Sequence, residues 1–292
     1  MYTNALLATE THRDIENYLS SFGIFFRCFS RVKEVHSLEK KLKNKGYSNN
    51  GKKMQDTIGV RIILYFTEDI DSVVYLLGKK FDLLAATIDE PSDQEFSPTR
   101  CNLIFNLPEK RAKAFATNYK KYDGAIDPTY EVQIRTIFSE GWHEIEHDLR
   151  YKCKENWEDH KDLSRTLNGI SAALIASEWS LEKIFDDLSY RFYKSHEWEP
   201  MLKNKIRLRF DGDALAPEIA NIFTGDFNIA KQFFRMKKEK VLKSVAEYGL
   251  KFPMNLNNII YFHNELEVLE SKITAFAPEP LLAMFKEAGI GS

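Results

Sequence analysis

The stretch that most constrains this 292-residue chain is Tyr130-Glu131-Val132-Gln133-Ile134-Arg135. Apolar and polar residues alternate strictly, the pattern of a β-strand with two unlike faces. Tyr130, Val132 and Ile134 share one face and need a core. Glu131, Gln133 and Arg135 share the other. A carboxylate, an amide and a guanidinium in a row suit the lining of a cleft better than bare solvent. The strand runs without a turn signal into a helical pattern over 136–152, so a helix must pack beside it.

The rest of the chain fits an α/β (α+β) organisation. Residues 4–29 read as an amphipathic helix and its exit, with Ile15, Leu19, Phe22 and Phe26 at helical spacing. Residues 31–44 read as a second helix. Ile58–Phe66, Phe81–Ile88 and Asn102–Leu107 read as strands, with helices over 69–77 and 109–119. Residues 89–100 are loop by composition. A long helix is expected from 159 to 193. Residues 201–210 alternate and read as a strand or a basic linker. From 214 onward several short helices break at Gly225, Gly249 and Pro253. This places one domain over 1–198 and a mostly helical region over 199–292.

Composition narrows the function classes. A net charge of −2 excludes a generic polyanion binder, so any nucleic-acid or phosphate contact needs a local patch. The three cysteines, Cys28, Cys101 and Cys153, are far apart and form no CxxC pair, which fits a reducing, cytoplasmic setting. The first residues have no signal-peptide pattern, and no apolar run approaches the ~18 residues of a membrane span.

Three clusters carry chemistry. On one helix Lys33, Ser37 and Lys41 would form a single stripe beside Arg31, with Val35, Leu38 and Leu42 anchoring the helix. Ammonium, hydroxyl and guanidinium groups together can grip a polyphosphate, although a solvated basic face has the same composition. Asp56 stands at the mouth of a strand, a usual place for a Mg2+ ligand. Gly59 follows it, and Arg61 projects from an apolar strand either into a cleft or into a structural ion pair. The third cluster is Glu131, Gln133 and Arg135 with the helix behind them. There Trp142 reads as core, and His147 and Tyr151 share a face. The segment His143-Glu144-Ile145-Glu146-His147 also matches the zinc-protease pattern HExxH. A second acid inside the motif and the lack of a third histidine behind it argue against that chemistry.

Together these residues resemble the RelA/SpoT synthetase family, pyrophosphokinases that make guanosine alarmones from ATP. Arg31, Lys33, Ser37 and Lys41 meet its RxKxxxSxxxK pattern, and Asp56, Gly59 and Arg61 its DxxGxR pattern. Glu131, Gln133, Ile134, Arg135 and Thr136 meet its ExQIRT strand. Trp142, Glu146, His147, Tyr151 and Lys152 follow in register. The resemblance covers roughly residues 5–195. It implies a mixed sheet flanked by helices in a nucleotidyltransferase-like synthetase domain, with no hydrolase domain before Arg31. ATP would be bound by Arg31, Lys33, Ser37, Lys41 and Arg61. Asp56 and Glu131 would be catalytic and would hold Mg2+. Phe96, Arg100, Gln133, Arg135, His147 and Tyr151 would bind the acceptor.

The expected activity is transfer of pyrophosphate from ATP to the 3′-hydroxyl of GDP or GTP. The family's acceptor loop, GYxSLH, is replaced here by a segment around Phe96 and Arg100 that lacks its glycine and adds Pro98. This opens a second reading, a toxin or phage-defence effector that modifies the 3′ end of tRNA and is paired with an antitoxin protein. Arg100, Lys110, Arg111, Lys113, Lys120 and Lys121 would then meet RNA phosphates. A third reading is a silent nucleotide sensor. Residues 199–292 carry no motif; plain packing against the first domain is the simplest role for their apolar faces, and regulation, a cap or assembly of identical chains are also open to them.

Overall fold

The computed structural model describes residues 3–45, 47, 52–88, 101–210, 212 and 214–291. Phe96 and Arg100 lie outside the described residues. The chain divides into two compact units. The first holds residues 1–17, 26–70 and 77–178; the second holds 18–25, 71–76 and 179–292. Residue 198 falls inside the second unit.

The first unit is built on a mixed five-stranded sheet in the order β1-β2-β5-β4-β3. The strands are β1 (Phe26–Val32), β2 (Ile58–Leu64), β3 (Leu83–Ile88), β4 (Cys101–Asn106) and β5 (Thr129–Thr136). β2 and β5 are parallel, and the other neighbours are antiparallel. The alternation around Tyr130 gives this sheet its two faces. Tyr130, Val132 and Ile134 are buried in register with Ile58, Val60 and Ile62 of β2. Phe105 of β4 stacks on Tyr130 with ring centroids 5.4 Å apart. Each such side chain contributes about 1.5–3 kcal/mol by leaving water.

Helices α1 (Asn4–Ser20) and α4 (Glu109–Asn118) lie on this apolar side. Asp14 of α1 and Arg111 of α4 are close enough to Tyr130 to act on its phenol. They also pair with each other at 2.7 Å. Helices α2 (Val35–Lys45) and α3 (Ile70–Lys80) flank β2 in the chain, and α5 (Ile137–Ile145) follows β5 directly. Thr136 caps α5: its hydroxyl accepts from the Ser139 amide, and Ser139 Oγ accepts from the Thr136 amide at 2.9 Å. A T-x-x-S box therefore makes the abrupt change from strand to helix.

The second unit is helical. It contains the end of α6 (Lys161–Ser195) and then α7 (Trp198–Ile206), α8 (Pro217–Gly225) and α9 (Phe227–Phe234). Next come α10 (Lys238–Glu247), α11 (Leu256–His263), α12 (Ser271–Thr274) and α13 (Glu279–Glu287). Its core includes Leu202, Phe223, Phe233, Leu242, Ile259, Phe262 and Phe285. No helix among the described residues is long and apolar enough to cross a membrane.

Several sequence expectations need correction. The first helix stops at Ser20, and Phe26 opens β1 instead of continuing the helical exit. Arg31 lies on β1 and Lys33 in the link to α2, because the alternating segment Phe26–Val32 finds a pairing partner in β2. Val35 is 64% exposed and does not anchor α2; Leu38 does. Residues 201–206 belong to α7, where Trp198, Met201, Leu202 and Ile206 bury a helical face that outweighs the local alternation. The helix after β5 changes to a π-helical turn over Glu146–Tyr151.

Candidate active site

The polar face of the sheet collects the residues singled out by the sequence. Cross-strand register puts Arg31 opposite Gly59, and Gly59 opposite Glu131. It puts Phe29 opposite Arg61, and Arg61 opposite Gln133. Asn102 of β4 joins the same row beyond Gln133. The Arg31 side chain lies over Gly59, where a Cβ would stand in ordinary contact with Arg31 Cγ and Nε at 3.6 Å. On the edge strand β1, this face shows three exposed side chains in a row, Arg27, Phe29 and Arg31.

The loop carrying Asp56 is held from two sides. Lys33 N donates to Thr57 O at 2.8 Å, and Met54 N donates to Ala125 O at 2.9 Å. Thr129 Oγ1 donates to Gln55 O at 2.9 Å. Asp56 is thereby fixed where two ammonium groups meet. Lys33 Nζ lies 2.6 Å, and Lys41 Nζ 2.5 Å, from the same oxygen, Asp56 Oδ2. The single helical stripe expected from spacing is not formed: Lys33 precedes α2 and is brought to Lys41 by their shared contact with Asp56. Ser37 is exposed one turn before Lys41 on α2.

Burial opposes the charge on all three groups. Burial lowers the pKa of Lys33, the more enclosed lysine, despite its bond to Asp56. For Lys41 the contact with Asp56 outweighs burial and raises the pKa. For Asp56 the two lysines outweigh burial and lower it.

Glu131 is part of a second network. Gln133 Nε2 donates to Glu131 Oε2 at 2.9 Å. Gln133 Oε1 accepts from Arg61 Nη2 at 3.1 Å and from Nε at 3.3 Å. Arg61 Nη1 pairs with Glu140 Oε1 at 2.6 Å and Glu144 Oε1 at 2.5 Å. Burial raises the pKa of Glu131, and the charge of Asp56 adds to it; Gln133, Lys41 and Lys33 pull the other way. A carboxylate moved up toward neutrality is suited to accept a proton.

Arg135 lies on the expected face but is only 3% exposed. Its Nε has no hydrogen-bond partner, and Nη1 makes a 3.5 Å contact with Ile134 O. Burial lowers its pKa, and the charge of Arg61 adds to the effect. An enclosed guanidinium of this kind suits an anion. Asn102 Oδ1 is likewise buried without a partner.

On α5 and the π-helical turn, His143, His147 and Tyr151 form a ladder of near-parallel rings. Centroids are 5.8 Å apart from His143 to His147 and 5.9 Å from His147 to Tyr151. His147 Nδ1 lies 2.8 Å from Asp148 Oδ1, which also accepts from Lys152 Nζ at 2.6 Å. Trp142 is core, as expected.

Asp56 and Glu131 are the carboxylates that could hold a divalent cation. Asp56 Oδ1 is buried with no hydrogen-bond partner, and its charge acts on Glu131. Among the described residues no group of three or more His, Cys, Asp or Glu could hold a metal ion. One or two carboxylates completed by substrate phosphates is the arrangement Mg2+ favours.

Sequence reasoning missed Phe29, Glu140 and Glu144. Phe29 sat inside an expected helical exit. Glu140 and Glu144 have helical spacing, but only the sheet register reveals Arg61 as their partner. The basic run proposed for RNA is largely neutralised where its contacts are described. Arg111 pairs with Glu10 and Asp14, Lys113 with Glu109, and Lys121 with Glu39.

Residues 30–156 match the region found in RelA / SpoT proteins. GTP pyrophosphokinase YwaC of Bacillus subtilis (strain 168) is 33% identical over 133 residues. That alignment spans 44% of this chain and 59% of the length of YwaC. Among solved structures, small alarmone synthetase 2 from Bacillus subtilis is 26% identical, with a TM-score of 0.44 over 61% of this chain and 89% of that one. The smu.1046c protein from Streptococcus mutans UA159 is 24% identical, with a TM-score of 0.48 over 62% of this chain and 91% of that one.

Proposed function

We propose that the chain, whose residues 30–156 match the region found in RelA / SpoT proteins, transfers the β,γ-pyrophosphoryl group of ATP to the 3′-hydroxyl of GDP or GTP. The observation that carries this reading is the pairing of two lysines on Asp56 beside a Glu131 whose carboxyl is raised. Arg31, Lys33, Ser37 and Lys41 bind the donor phosphates. The exposed Phe29 ring offers a stacking surface for the donor base on the same face. Gln133, Arg135, His147 and Tyr151 face the acceptor; Phe96 and Arg100 are assigned to it from the sequence alone.

In the transfer the 3′-oxygen forms a bond to the β-phosphorus as the bond from that phosphorus to the α-phosphate oxygen breaks, leaving AMP. Glu131 takes the hydroxyl proton. Lys33 and Lys41 balance the charge that develops on the phosphates, so positioning and electrostatics supply the rate. Mg2+ held by Asp56 and Glu131 would supply further neutralisation of phosphate charge.

The test is incubation with labelled ATP, Mg2+ and, separately, GDP, GTP, ATP or tRNA. Label on GDP or GTP is expected. Label on tRNA alone moves the assignment to the RNA acceptor. No transfer to any acceptor, with ATP binding unaffected by Glu131→Gln, leaves a nucleotide sensor.

A further inference from the structure

We propose that Asn102 recognises the ribose 2′-hydroxyl of the acceptor nucleotide and so selects a ribonucleotide over its 2′-deoxy analogue. This rests on the reading of Glu131 as the partner of the acceptor 3′-hydroxyl.

Position across the sheet separates a donor side from an acceptor side. β5, which carries Glu131, is the middle strand of the five. Arg31 stands on β1, and the loop with Asp56 leads into β2, so the donor grip lies to one side of Glu131. β4 lies on the other side. Register puts Ile104 of β4 opposite Glu131 and Asn102 opposite Gln133, on the same face. Asn106 is the next β4 residue on that face. Ile104 offers no side-chain hydrogen bond, and Asn106 Nδ2 donates to Asp82 at 2.9 Å. Asn102 differs from both: its Oδ1 is buried and has no hydrogen-bond partner.

The cross-strand neighbour does not supply that partner. Gln133 gives its oxygen to Arg61 and its NH2 to Glu131. A buried amide oxygen without a donor carries a desolvation cost, which a ligand that donates to it removes.

Spacing selects the ligand group. Asn102 and Glu131 are diagonal neighbours on one face of an antiparallel pair, a separation of about 7–8 Å. Two O–H···O hydrogen bonds of about 2.7 Å, one to each residue, bridge that span when their oxygens are vicinal hydroxyls. A ribose presents such a pair. With its 3′-hydroxyl on Glu131, its 2′-hydroxyl reaches Asn102 and donates to Oδ1. Holding both oxygens fixes the sugar and aims the 3′-oxygen, which serves the reaction as well as binding. A 2′-deoxyribose leaves Oδ1 buried and unpaired.

The experiment measures kcat/KM for GDP against 2′-deoxy-GDP, and GTP against 2′-deoxy-GTP, at saturating ATP and Mg2+. It uses the parent protein, Asn102→Leu and Asn102→Ser. The parent should prefer the ribonucleotide ~10- to 100-fold, the effect of leaving a buried polar group unpaired. Asn102→Leu, of nearly the same size, should slow the ribonucleotide and bring the ratio of the two acceptors to within about twofold of one. KM for ATP should not change. Asn102→Ser, whose hydroxyl is too short to reach the sugar, should behave alike and serves if Asn102→Leu does not fold.

Equal kcat/KM for the two sugars in the parent overturns the proposal. So does a preference that persists undiminished in both variants, because the hydroxyl is then read elsewhere. A tenfold rise in KM for ATP also overturns it, by placing Asn102 on the donor side. If only tRNA accepts, the GDP or GTP reading falls, and tRNA with a 3′-terminal ribose or 2′-deoxyribose is compared by the same criteria. If nothing accepts, the transfer reading falls, and calorimetric binding of GDP and 2′-deoxy-GDP decides. A difference that Asn102→Leu removes keeps the assignment, and equal affinity in the parent overturns it.

Discussion

Lys41 Nζ lies 2.5 Å from Asp56 Oδ2, across 15 residues of chain, and places the cation of a helix on the carboxylate of a loop. Lys33 shares the same oxygen. The arrangement is asymmetric, because Asp56 Oδ1 is left buried without a partner. One oxygen is committed to the lysines and the other is available to a cation. Asp56→Asn is therefore expected to abolish Mg2+-dependent transfer. It also leaves two ammonium groups without a countercharge, a cost of about 1–3 kcal/mol. Loss of turnover together with a lower melting temperature checks this; full activity in the variant would refute the metal assignment.

Glu131→Gln keeps the shape of the side chain and removes the proton acceptor. A positioned general base contributes ~10²–10⁴-fold, so kcat should fall by at least ~100-fold. ATP affinity should stay close to that of the parent, since the lysines remain on Asp56. Steady-state kinetics at saturating ATP, with calorimetric ATP binding, separates this outcome from a general loss of structure.

Phe29 is 53% exposed between Arg27 and Arg31 on the edge strand. If its ring supports the donor base, Phe29→Ala should weaken ATP about 30-fold, the middle of the range for base–aromatic stacking. Binding of inorganic triphosphate should not change, and Phe29→Trp should restore ATP. Equal losses for ATP and triphosphate would instead indicate damage to the phosphate grip.

His263 in the helical unit is 4% exposed, and burial holds its pKa below the ordinary value of 6.5. Glu267, at 3.6 Å, partly offsets this, and Lys240 acts with burial. The unfolded chain therefore takes up a proton at a higher pH than the folded one. Stability is fully present above the unfolded pKa and declines as pH falls from about 6.5 toward the folded value. Thermal melts between pH 7.5 and 5.5 should show a falling midpoint, and His263→Asn should flatten that slope.

How much of this was legible in the chain depended on the range of the interaction. The Tyr130–Arg135 alternation identified the central strand, its core face and its polar face, because a period of two is a local property of extended backbone. The stacked pair His147 and Tyr151 was visible for a similar reason, as neighbours one turn apart. The helical spacing of Lys33, Ser37 and Lys41 suggested the correct neighbours by the wrong route: Lys33 precedes the helix and meets Lys41 only through Asp56. Residues 201–206 misled because a short alternating run does not reveal which face the surrounding helices bury.

The sequence by itself determined the chemistry at hand: a basic cluster, an aspartate before a strand, a strand face of Glu, Gln and Arg, and their order along the chain. Only the tertiary structure decided which charge meets which. It gave Arg61 to Glu140 and Glu144 and gave the lysines to Asp56. It also enclosed Arg135 and raised the pKa of Glu131. The physical reason is that electrostatic partners are chosen by distance and burial, which sheet register and helix placement set between residues as much as 83 positions apart.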